Sequence, residues 1–152
     1  MKKPRPVSPD PYKRTKERVN RIIKQWKPRL GLHNWWIRIE WFEGSLELDA
    51  SAIATCEPAW QYNEMRLRIC LPKMAAIQEP QAFEEVIIHE LLHAYTIPVL
   101  DADKNGDDGK LIMEWVTSSL TRIVYDLVEN TDHQTSKRDA LKELGQELGR
   151  FN

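Results

Sequence analysis

"EEVIIHELLHAYTIP", residues 84–98, sets two histidines four positions apart inside an apolar run. Four residues make about one helical turn, so on a helix the imidazoles of His89 and His93 leave the same face and can grip one ion. Glu90 is rotated by about 100° from His89. That offset lets its carboxylate reach the open side of the ion and take a proton from water rather than bind the metal. Phe83, Val86, Ile87, Leu91 and Leu92 make the surroundings largely apolar, where two histidines and a glutamate without a partner would be costly. The competing reading has both histidines satisfied by core hydrogen bonds, with Glu90 at the surface. Pro80 suits the first turn of this helix, and Pro98 is expected to limit it at Ile97.

Upstream the hydrophobic period changes. In "NWWIRIEWF", Trp35, Ile37, Ile39 and Trp41 alternate with Trp36, Arg38, Glu40 and Phe42, the two-residue repeat of a strand. "DASAIATCE" and "EMRLRICL" read as two more strands, joined through "PAWQYN" as an antiparallel hairpin, with Leu67, Ile69 and Leu71 opposite Arg66, Arg68 and Cys70. Before them, Asp10 is the expected N-cap and Pro11 the first position of a helix. Its stripe is Val19, Ile22, Ile23 and Trp26, and Pro28 is expected to end it near Lys27.

After the motif, "DADKNGDDGK" reads as a loop. "KLIMEWVTSSLTRIVYDLVEN" then reads as a helix capped by Asp107 or Asp108, with Ile112, Val116, Leu120, Ile123 and Leu127 as its core stripe. A short amphipathic helix, weakened by Gly145 and Gly149, is expected in the tail. The 152 residues, 41% hydrophobic and 30% charged, suit one α+β domain. Residues 1–9 are expected to be a disordered basic N-terminus, 10–130 the folded domain and 131–152 a C-terminal tail.

A catalytic zinc usually has three protein ligands and one open position. The residue six after His93 is Val99, and the only later histidine, His133, lies far along the tail. Glu114 sits in the first turns of the next helix, beside Thr117, Ser118 and Thr121 at the margin of the apolar stripe, so it can face inward. Glu114 is therefore the expected third ligand, with Asp101, Asp103 or Asp107 as substitutes. A second metal is suggested by Asp101, Asp103, Asn105, Gly106 and Asp107, which occupy the first positions of a calcium loop. Ile112 stands where that loop needs its bidentate glutamate, so any calcium site would be weak.

HELLH at 89–93 with Glu114 on a following helix resembles the gluzincin class of zinc metallopeptidases, and the short frame resembles the minimal gluzincins and the small zincin-type proteins of phage genomes. The resemblance covers Trp35 to Val128. It implies a minimal zincin-like fold: an N-terminal helix, a small, mostly antiparallel three-stranded sheet, the motif helix, the glutamate helix and a short C-terminal helix. It also implies one Zn²⁺ per chain on His89, His93 and Glu114, and hydrolysis of a peptide or protein substrate by an activated water, with Glu90 as general base. A strand within Arg66 to Leu71 would line the cleft and take an extended peptide edge to edge. The tail is a segment that blocks the cleft in some minimal members. Tyr95, Tyr125, Arg122 and His133 are the candidates for stabilising the oxyanion.

The net charge of -1 hides an asymmetry, because residues 1–30 hold 11 Lys/Arg against Asp10 and Glu17. Basic residues 13–29 can bind nucleic acid, lie against the acidic remainder or form a solvated face. A stripe containing a tryptophan favours docking. Cys56 and Cys70 are too few for a disulfide framework and are expected to be reduced, with a cross-strand pair as the alternative. The tryptophans are expected in the core, with Trp36 and Trp60 as the two candidates for a ligand platform. The start lacks an apolar signal region, and no apolar stretch approaches the ~18 residues of a membrane span. The expected location is cytoplasmic. The alternative to a peptidase is a non-catalytic zincin-fold module that binds nucleic acid or a phage or host protein.

Overall fold

The computed structural model describes residues 10–44, 51–100 and 102–148. Among them no helix is long and apolar enough to cross a membrane. Helix α1 (Lys13–Arg29) buries the expected stripe Val19, Ile22, Ile23 and Trp26, but it starts two residues after Pro11, with Tyr12 rather than Asp10 at its N-cap. The Asp10 carboxylate accepts the Tyr12 N–H at 2.9 Å and caps the turn that leads in. Pro28 does not end the helix. It lies inside the last turn, and termination falls to Gly31, whose φ of 70° suits glycine. The Gly31 N–H donates to the Pro28 carbonyl and the Leu32 N–H to the Lys27 carbonyl, at 3.1 and 2.8 Å, the paired bonds of a left-handed C-terminal cap. Leu32, the apolar residue of that cap, is fully buried.

Strands β1 (Trp36–Phe42), β2 (Ala54–Ala59) and β3 (Glu64–Cys70) form one sheet in the order β1-β3-β2. β2 pairs antiparallel with β3, as the hairpin reading predicts, through a short turn at Trp60–Tyr62 with Asn63 left-handed. β1 pairs parallel with β3, so the sheet is mixed and the expectation of a mostly antiparallel one is corrected. The chain leaves β1 and returns as β2 one place away, and the hairpin drops β3 into the gap. Met65, Leu67 and Ile69 on the inner face are buried. On the outer face Arg66 and Arg68 each bridge Glu40 and Glu57 at 3.0–3.6 Å. Trp36, on that face, is exposed, with Arg38 over its ring. Trp60 packs edge-on against buried Trp35. Cys56 and Cys70 are both free thiols.

A short helix α2 (Leu71–Ala76) links β3 to the motif helix α3 (Pro80–Leu100). α3 continues past Pro98 rather than stopping at Ile97. A proline near a helix end forfeits only its own N–H bond to the preceding turn. The expected loop is also helical: α4 runs from Ala102 to Leu148, broken only at Gly106 (φ 60°, ψ -146°), a conformation open to glycine alone. It absorbs the expected separate tail helix. Asp101 and the side chains of Asp103 and Asn105 lie outside the described residues, as do residues 1–9, and Asp107 is exposed.

The inward face of α4 differs from the expected stripe. Thr117 and Thr121 are buried, and Leu120, Val124, Tyr125 and Val128 pack against the core. Ile112, Ile123 and Leu127 face solvent. α1 is tied to the body at several points. Trp26 donates from its indole to Glu84 and stacks on Tyr125, Arg18 bonds the Pro80 carbonyl and covers Phe83, and Arg29 pairs with Asp132 at 3.0 Å. Arg14, Arg21 and Lys24 face solvent. Trp26→Ala should therefore lower unfolding free energy by about 3–5 kcal/mol, read by urea denaturation. A loss below about 1 kcal/mol would mean that α1 is not part of the cooperative core.

Candidate metal centre

α4 packs along α3 and runs the opposite way, with Tyr125 beside Glu84 and Glu85 near the start of α3 and Glu114 beside His93 further along it. This pairing carries Glu114 to the histidines. His89 Nε2 is 3.1 Å from Glu114 Oε2, and His93 Nε2 is 3.5 Å from Glu114 Oε1. The three side chains form the one group of His, Cys, Asp or Glu among the described residues that could hold a metal ion, with ligand atoms all within 4.8 Å of one another. Asp107 does not belong to it.

Each group responds to its burial and its neighbours. Burial holds the His93 imidazole down to about 4, helped by the His89 charge, against the pull of Glu114. For His89, burial works downward but is outweighed by the hydrogen bond to Glu114 and by the charges of Glu90 and Glu114, so its pKa rises. Glu114 is lowered chiefly by its hydrogen bond with His89. Glu90 is buried, and burial pushes it up to about 7. Its Oε2 has no hydrogen-bond partner among the described residues.

Behind His93 lies a chain of two hydroxyls. Thr117 Oγ1 is 2.8 Å from the Met113 carbonyl and 2.9 Å from Thr96 Oγ1, and Thr96 Oγ1 is 3.3 Å from His93 Nδ1. Thr117 has one proton, and a carbonyl can only accept. Where Thr117 gives that proton to Met113, Thr96 gives its own to Thr117 and accepts from an Nδ1–H of His93; where Thr117 gives it to Thr96, Thr96 turns its proton to the Leu92 carbonyl at 3.5 Å and again accepts from the Nδ1–H. The Nε2 lone pair is then directed at Glu114 and free for a metal. The sequence reading missed Thr96 altogether and saw Thr117 only as a neighbour of Glu114. The available signal was helical phase, since Thr96 lies three residues after His93 and Thr117 three after Glu114.

A cleft of about 450 Å³ opens on this group, lined by His89, Glu90, Glu85, Ala54, Ser118 and Arg122 among others. Of the four oxyanion candidates, Arg122 alone lines it. Tyr95 donates to the Leu30 carbonyl, Tyr125 stacks on Trp26, and His133 is exposed on the distal part of α4. The strand at the cleft is β2, not the expected segment Arg66 to Leu71. β3 is paired on both sides and has no edge to offer. Ile53 accepts from the Cys70 N–H, so by alternation Ala54 and Cys56 turn their peptide groups to the free side of β2. Cys56 lies close enough to Glu90 for that carboxylate to help burial raise its thiol pKa. No family model, curated protein or solved structure matches this chain.

Two outcomes follow from this geometry. Thr117→Val removes the end of the hydroxyl chain at nearly constant volume and should weaken metal affinity about 10- to 100-fold by competition with a chelating dye. Unchanged affinity would detach the chain from the ligands. Glu90 keeps its proton to about pH 7 when folded, but releases it near 4.5 when unfolded. The metal-free folded chain thus binds more protons between these values, and stability falls as pH rises across the window. Glu90→Gln should stabilise the metal-free protein by about 1–3 kcal/mol above pH 7 and have little effect below pH ~5. A gain independent of pH would refute the assignment.

Proposed function

We propose that this chain is a zinc-dependent metallopeptidase that hydrolyses peptide bonds, with His89, His93 and Glu114 as metal ligands and Glu90 as general base. The observation that carries the reading is the buried Glu90 carboxylate with an unpartnered oxygen, facing the same cleft as a ready-made set of two imidazoles and a carboxylate. The donor set suits zinc. Imidazole and carboxylate are ligands that zinc takes, and the histidine–glutamate separations of 3.1 and 3.5 Å, to the two carboxylate oxygens, with all ligand atoms within 4.8 Å, let the three close on one ion. When bound, the ion supplies Lewis-acid activation of water and of a substrate carbonyl.

The protein's own groups supply the rest. Glu90, buried beside the ligands and facing the cleft, is placed to accept a proton from the attacking water and pass it to the leaving amine. The free side of β2 offers peptide groups at Ala54 and Cys56 to an extended substrate. Arg122 offers positive charge to the oxyanion or to a substrate carboxylate. A non-catalytic binding module would use the same fold but has no role for a buried, unpaired carboxylate beside the ligands.

The test is hydrolysis of an unfolded protein by the zinc-loaded chain. Glu90→Gln should keep about one zinc per chain and lose turnover by about 10²–10⁴-fold, while His93→Ala should lose the metal. Equal turnover by Glu90→Gln and the unaltered chain would remove Glu90 from the chemistry, and its absence in both would leave the binding module.

A further inference from the structure

The stripe Ile112, Val116, Ile123 and Leu127 has the spacing of a core face, yet α4 turns it outward. Ile112 and Ile123 are each 54% exposed and Leu127 is 62% exposed, while Trp115 at 72% and Leu111 at 69% widen the strip. By helical phase the strip lies roughly 120–160° from the buried face formed by Thr117, Thr121, Val124 and Val128. Single exposed apolar residues are ordinary, but a contiguous strip along one helix marks a contact surface.

We propose that this face joins two copies of the chain, with α4 packed antiparallel against α4 of the second copy about a two-fold axis. The ground is self-complementarity. A two-fold interface must match itself reversed, and this strip does so about a centre between Ser119 and Leu120. Ile112 then meets Leu127 of the second copy, Val116 meets Ile123, and small Ser119 sits near the axis, where the helices approach most closely. The ends of the strip disfavour a slide of a full heptad. A slide of seven positions one way sets Val116 against Asn130 and Ile112 against Gln134, and a slide the other way sets Ile123 against Gly109.

The strip has no charge at its central positions, which disfavours an anionic polymer as the occupant. The body packs on the opposite side of α4, so a second body has room. By helical phase Glu114 lies opposite the centre of the strip, whereas Ser118 and Arg122, which line the cleft, adjoin its Leu111 and Trp115 margin, so the cleft opens beside this seam.

Sedimentation equilibrium on the full chain should give a two-chain mass, falling to one chain in Ile123→Asp and Ile112→Asp with far-UV circular dichroism and metal content retained. Ser119→Cys should form an intermolecular disulfide under mild oxidation, whereas Asn130→Cys, displaced from the axis, should not, and the unaltered chain with Cys56 and Cys70 serves as control. If the aspartate variants lose their fold, the cysteine pair decides. A monomer at every concentration overturns the proposal, as does a dimer that survives both aspartates or cross-links through position 130 and not 119.

Discussion

Histidines set among leucines are costly without partners, and here His89 and His93 find theirs on another helix. His89 and His93 are one turn apart on α3, but their shared contact is Glu114, brought across by the antiparallel course of α4. Little else in the molecule fixes α4 so specifically. Its buried face has hydroxyls at Thr117 and Thr121 where an ordinary core helix would have aliphatic side chains. The hydroxyls have partners: Thr117 joins the chain that ends at His93, and Thr121 donates to its own helix at the Thr117 carbonyl. The α3–α4 contact is therefore as much a polar alignment as an apolar one, and the polarity selects the register that makes the centre.

The rest of the fold holds α3 rigid under that alignment. The inner face of the sheet supplies Met65, Leu67 and Ile69, α1 supplies Val19, Ile22, Ile23 and Trp26, and α3 meets them with Phe83, Ile87, Ile88 and Leu91. A mixed sheet suits this task. Placing β3 at the centre gives its inner residues the most complete burial, and it leaves β2 as the edge beside the cleft. The strand that holds the core and the strand with a free edge at the cleft are different strands for one reason, since a strand cannot be both fully paired and open.

Much of this was legible in the residues. The α+β class, the order of helix, strands and motif helix, the α1 stripe and the inward turn of Glu114 all follow from local periodicity, because helix and strand repeats are fixed by backbone geometry that every window of sequence carries. The four residues of the proposed chemistry were legible as well: His89, Glu90 and His93 share one turn, and Glu114 follows from helical phase and from the lack of another nearby histidine.

What the tertiary structure decided was everything that depends on which surface meets which. The sequence offers α4 two faces, an aliphatic one through Ile112, Ile123 and Leu127 and a polar one through Glu114, Thr117 and Thr121, and hydrophobicity alone chooses the wrong one for the core. The polar face wins because it answers the buried polar groups of α3, a constraint invisible until the two helices are side by side. Strand order is of the same kind, since alternation identifies β3 but cannot say that it lies between its neighbours. Pro28 and Pro98 were overread as stops, because a proline near a helix end costs one hydrogen bond and the packing around it can outweigh that loss.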